Sequence, residues 1–133
     1  MGSERAVSLA KIRQIAVPVT DIVEATRFYR DVLGMRHLFD APPQLSFFDC
    51  GGVQLMLSGP EGGGSEADRQ QRPIIYYDVA DIKMTHAALV ESGAPAIQAP
   101  HMIARMGTSE IWIGFVGDGQ GNMVGLMSHV TDA

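Results

Sequence analysis

The chain has 133 residues, 46% hydrophobic and 19% charged, with 10 basic against 15 acidic side chains and a formal net charge of −5. That length holds one globular domain, or two small halves sharing a core, and not two independent domains. An acidic chain without a Lys/Arg run argues against nucleic acid, no apolar stretch approaches the roughly 18 residues of a membrane span, and Cys50 alone can build neither an internal disulfide nor a cysteine-rich zinc site.

Residues 1–11 read as a tail. Glu4 and Arg5 stand where a secretory signal would need an apolar run, so a cytoplasmic protein is expected. Ile12–Val19 is rich in β-branched residues and predicts a strand, with Pro18 near its end or edge. Asp21 with Glu24 three residues on has the form of a capping box. From there Ile22, Ala25, Phe28, Tyr29, Val32 and Leu33 make one apolar stripe, which predicts a helix over 22–33 ended by Gly34. Met35–Phe39 is a strand candidate. Leu45–Cys50 and Val53–Ser58 should form a hairpin across Gly51-Gly52. The stretch 59–72 (GPEGGGSEADRQQR) is polar, glycine-rich and without period, and reads as a connector.

The pattern then restarts. Ile74–Val79 predicts a strand, and 82–92 a helix opened by Asp81 and closed by Gly93. Ala96–Gln98 and 101–105 are weaker strand candidates. Glu110–Val116 and Met123–Ser128 are stronger ones, joined by the turn 118–122 (DGQGN). Residues 14–21 (QIAVPVTD) lie over 74–81 (IIYYDVAD) at an offset of 60, matching Ile15 to Ile75, Val19 to Val79, Asp21 to Asp81 and Ile22 to Ile82, while Gly34 meets Gly93 one residue short. The chain is therefore read as α+β, two tandem βαβββ modules forming a curved mixed sheet around a shared cleft: one domain over 1–133, with module one about 8–59, a connector over 60–72 and module two about 73–130.

The stretch 14–35 (QIAVPVTDIVEATRFYRDVLGM) closely resembles the opening of vicinal-oxygen-chelate proteins, and 115–127 (FVGDGQGNMVGLM) resembles their usual ending. That superfamily includes glyoxalase I, bleomycin-resistance proteins and extradiol dioxygenases. The resemblance spans roughly residues 8–130 and implies the fold rather than one chemistry. It implies, for metal-dependent members, one divalent ion in the cleft held by His, Gln or Glu from the first and last strands of each module. The matching positions here are Gln14, Met56, Ile74 and Gly125. A thioether suits a hard ion poorly and Ile74 and Gly125 donate nothing, so no metal and no cofactor are expected.

Alternation along the strands puts Gln14, Gln54, Met56, Ile74, Tyr76, Gly125 and Met127 in the cleft, and His101, Glu110 and Trp112 are added as its polar and aromatic contacts. Such apolar walls with few polar groups suit a small organic molecule, with Tyr76 and Trp112 placed to stack on a flat ring. Arg105 pairing with Glu110 is the structural alternative at that point. His37, His86 and His129 read as structural or solvated, and Cys50 as an inert thiol. The leading expectation is metal-free binding of a small organic molecule by a homodimer, with no nucleic-acid and no membrane partner. Two rivals stand beside it. One is a glyoxalase-type lyase or isomerase with a displaced or absent metal site, its general base His101 or Glu110. The other is an interaction protein with no ligand.

Overall fold

The structure, a computed structural model, describes residues 7, 10–62 and 72–131. Most of the connector and both chain ends lie outside the described residues. The first module runs β1 (Gln14–Pro18), α1 (Ile22–Arg27), β2 (Arg36–Ala41), β3 (Leu45–Cys50) and β4 (Val53–Ser58). The second runs β5 (Ile75–Asp78), α2 (Ile82–Glu91), β6 (Ala96–Met106), β7 (Ser109–Gly117) and β8 (Met123–Thr131). Each module folds into its own four-stranded mixed sheet, ordered β1-β4-β3-β2 and β5-β8-β7-β6, with the first and last strands parallel. The tandem βαβββ architecture is the expected one, but its strands form two separate sheets rather than a single curved one.

Local physics accounts for most of the boundaries. Asp21 caps α1, its carboxylate accepting from the Val23 and Glu24 amides at 3.1 Å each. The reciprocal half of the capping box is not formed. Glu24 pairs with Arg27 instead, and the Asp21 amide donates to Gln120 of module two. The first helix also changes pitch. Residues Phe28–Val32 form a π turn, with the Leu33 amide donating to the Phe28 carbonyl at 3.0 Å. A π turn absorbs one extra residue. That extra residue is the one by which Asp21-to-Gly34 exceeds Asp81-to-Gly93.

The β3–β4 hairpin forms across Gly51 and Gly52, whose φ angles of 62° and 94° are those that a two-residue turn of this hand requires. The two weak strand candidates of module two are one long edge strand, β6. Its pairing with β7 shifts register at three places, one of them across Pro100, which an edge strand tolerates because no neighbour needs the missing N–H.

Each sheet has one face under a helix. In module one Val17, Val19, Leu55, Leu57 and Phe48 pack there with Ala25 and Tyr29. In module two Val116, Val124 and Leu126 pack with Ile82 and Ala94. The modules join through these helix-covered sides. Phe28 and Leu33 of module one pack against the second core, and Ile75 of module two packs against the first.

A polar clasp completes the joint. Asp118, 1% exposed, accepts from the Tyr29 hydroxyl at 2.9 Å, and Gln120 Oε1 accepts from the Thr20 and Asp21 amides at 2.9 and 2.7 Å. Asn122 Nδ2 donates to the Pro18 carbonyl at 2.8 Å. The turn before the last strand thus holds the β1–α1 junction of the other module. Burial and the adjacent Asp118 charge push the Tyr29 phenol well above its usual range, so it stays a donor.

Candidate functional site: two open sheet faces

The face of each sheet away from its helix carries a distinct set of side chains, fixed by register. In module one the rung Ala16–Met56–Phe47–Phe39 crosses all four strands, and Gln14 stands opposite Gln54 one rung away. Phe39 and Phe47 stack with centroids 4.5 Å apart and planes 21° apart. Gln54 Nε2 donates to Gln14 Oε1 at 2.5 Å, and Gln14 Nε2 lies 3.8 Å from Met56 Sδ. In module two the corresponding rung is Tyr76–Gly125–Phe115, and the next is Asp78–Met127–Ile113–His101. Tyr76 meets Phe115 edge to face at 5.6 Å. Phe39 is 51% and Tyr76 44% exposed. These are large aromatic groups on a sheet surface that the protomer itself leaves uncovered.

A family model described as the Glyoxalase/Bleomycin resistance protein/Dioxygenase superfamily matches residues 11–126. The chain belongs to that superfamily. Among solved structures it resembles a lactoylglutathione lyase from Agrobacterium tumefaciens (24% identity, 91% of this chain and 95% of that one, TM-score 0.69). It also resembles a member of the same superfamily from Sphaerobacter thermophilus DSM 20745 (22% identity, 90% and 98%, TM-score 0.72). A third likeness is to a glyoxalase-related enzyme from Fulvimarina pelagi (17% identity, 90% and 88%, TM-score 0.74). At these identities the likeness speaks for the fold. A search of curated proteins gives no match.

The superfamily's metal positions can be tested on this geometry. Gln14 offers one oxygen, already accepting from Gln54. Met56 offers a thioether and Ile74, 43% exposed just ahead of β5, offers nothing. At Gly125 a Cβ would lie 2.8 Å from Tyr76 Cδ2, so the aromatic ring occupies the space that a ligating side chain there would need. Among the described residues no three His, Cys, Asp or Glu side chains cluster to hold an ion. This donor set does not fit the superfamily's divalent metal.

The sequence-derived contacts divide between the two faces. Gln14, Gln54, Met56, Tyr76, Gly125, Met127 and His101 all stand on open faces. Glu110 and Trp112 do not. Trp112 pairs across the sheet with Ser128 and packs beside the second core, its ring 4.8 Å under the Lys83 ammonium. Glu110 accepts from Arg105 Nη2 at 2.5 Å and from Trp112 Nε1 at 3.0 Å. The pair read as cleft residues is therefore on the helix-covered side, and the Arg105–Glu110 ion pair is formed. The cause is register: one residue of slip in β7 exchanges its two faces.

Phe39, Phe47 and Phe115 are the open-face residues that sequence reasoning passed over. Phe47 was within reach, because a two-residue turn at Gly51-Gly52 obliges Phe47 to face Met56. Of the other histidines, His37 pairs with Asp40 at 2.8 Å and His86 lies 3.3 Å from the Phe115 carbonyl, while His129 is exposed. Burial, then the neighbouring Asp49, raise the Cys50 thiol pKa, which disfavours the reactive thiolate.

Proposed function

We propose that the protein binds a small, flat organic molecule without a metal, on open sheet faces brought together in a homodimer. The open face of module one in one copy closes over the open face of module two in its partner, since within a protomer the modules are joined on their opposite sides. The ligand lies between Phe39, Phe47 and Met56 on one wall and Tyr76, Phe115 and Met127 on the other. Gln14, Gln54 and His101 orient its polar edge. The observation that carries this reading is the exposure of Phe39 and Tyr76 beside half-buried Met56 and Met127, with the Gln14–Gln54 amide pair at the first of the superfamily's metal positions. Flat rings gain from offset or edge-on contact with such side chains, and Met adapts to irregular shapes. The setting is the cytoplasm, where a lone half-buried thiol remains reduced.

The lyase or isomerase alternative loses one of its two bases, because Glu110 faces away from the open sheet and is engaged by Arg105 and Trp112. A thermal-shift screen of planar heteroaromatic compounds, run with and without a chelator, tests the proposal. Stabilisation that survives chelator and disappears in Tyr76→Ala supports it, since a ligand of the folded state raises stability by mass action. Stabilisation that depends on added divalent metal, or on no open-face residue, overturns it.

A further inference from the structure

A cavity adjoins the open face of module one, one rung beyond the Phe39–Phe47 pair. It is a groove of about 520 Å³ between the outer side of α1 and the β2–β3 turn at Pro42-Pro43. That volume falls in the range of about 300–1,000 Å³ usual for small-molecule sites. Val23, Pro42, Pro43 and Leu45 make its walls apolar, and Arg27 and Arg30 stand along one side. Its one carboxylate, Asp40, pairs with His37 at 2.8 Å. Of the charged side chains lining the groove itself, two are guanidinium groups and one is a carboxylate.

The tandem repeat supplies an internal control. At the offset of 60, Val23 corresponds to Lys83 and Arg27 to Ala87. Module two therefore builds the same helix with a charge where module one is apolar, and with a methyl group where module one is cationic. The fold demands neither residue. Val23 is 73% exposed, an apolar side chain held at the groove wall rather than in the core. Arg30 belongs to the π turn, which α2 lacks.

The two guanidinium groups already have partners, Glu24 for Arg27 at 2.6 Å and Asp31 for Arg30 at 2.8 Å. Both pairs are about half exposed, and such pairs contribute little and exchange readily. A guanidinium carries five N–H donors, so each retains donors for a further acceptor.

We infer that this groove is a binding site for a small amphipathic carboxylate, its apolar body against Val23, Pro42, Pro43 and Leu45 and its carboxylate on Arg27 and Arg30. The site borders the open face of module one at Leu45 but is centred on α1 and the Pro42-Pro43 turn. Its chemistry calls for a monoanion with an unbranched or aromatic tail.

The test is an amide-resolved NMR titration of the full chain with octanoate, alongside 1-octanol as the uncharged analogue. Octanoate should shift the amides of Val23, Thr26, Arg27, Arg30 and Leu45 in a saturable manner. Charge-assisted bonds to two arginines should make octanol at least about tenfold weaker, and Arg27→Gln/Arg30→Gln should weaken octanoate by a similar factor. Both arginines are solvent-exposed, so the double variant folds, and its unperturbed spectrum verifies that. Equal affinity for octanoate and octanol, unchanged octanoate affinity in the double variant, or shifts confined to open-face residues such as Met56 and Phe115 would each overturn the assignment.

Discussion

Asp118→Ala removes the carboxylate at the centre of the joint between modules. That group accepts four hydrogen bonds: from the Tyr29 hydroxyl at 2.9 Å, the Gln120 amide at 2.7 Å, the Asn122 amide at 3.1 Å and Asn122 Nδ2 at 2.7 Å. Asn122 Nδ2 keeps its bond to the Pro18 carbonyl, so three donors lose their acceptor in a site sealed from water. Each buried donor left unpaired costs about 1–3 kcal/mol, and partial relaxation brings the expected total to about 3–5 kcal/mol. Tyr29→Phe deletes one donor and leaves the other three bonds, so it should cost about 1–2 kcal/mol. The assay is equilibrium urea unfolding, followed by Trp112 fluorescence for module two and far-ultraviolet circular dichroism for both modules. The two probes should coincide in the wild type and separate in Asp118→Ala, as module two loses its hold on the β1–α1 junction. A loss below about 1 kcal/mol, with coincident probes, would refute the role assigned to this turn.

Three further outcomes follow from the same geometry. Because burial first, and Asp118 second, hold the Tyr29 proton to higher pH than in the unfolded chain, stability should be fully present below about pH 10 and fall above it. Tyr77, raised chiefly by burial, should leave part of that alkaline loss in Tyr29→Phe. At the hairpin, Gly52→Ala must hold φ near 94° and should cost about 1–2 kcal/mol in the same unfolding assay. Installing metal ligands by Met56→Glu, Ile74→His and Gly125→Glu should fail to capture Zn²⁺ by isothermal titration, because a side chain at residue 125 meets the Tyr76 ring at 2.8 Å and the Ile75 carbonyl at 3.0 Å.

The repeat made the architecture legible, because a strand, an acidic helix cap and a closing glycine recur at near-constant offset, and each has a local physical cause. The β1–β4 part of module one's open face was legible for the same reason, while its aromatic pair Phe39 and Phe47 was not. A two-residue turn sets β3 against β4, and the parallel pairing of β1 with β4 carries Gln14 and Met56 to one side. Module two resisted at β7. Its turn to β8 spans Asp118–Asn122, five residues whose backbone path sets the register, and alternation alone is equally satisfied by either face of Glu110–Val116. Trp112 was read as a ligand platform for that reason, when its indole packs beside the core. The clasp was hidden for a different reason. Asp118, Gln120 and Asn122 are ordinary turn residues in sequence, and only the docking of module one makes them buried partners of Thr20 and Tyr29. The π turn left one trace, the single-residue shortfall between Gly34 and Gly93.

Native mass spectrometry of the gently purified protein reads assembly state, metal content and retained small molecules in one spectrum. A metal-free binding dimer should appear at twice the chain mass with no increment for a transition-metal ion, and should retain an added planar ligand in the presence of chelator. A monomer at all micromolar concentrations, or a dimer carrying one metal ion per chain that chelator strips away, would contradict it.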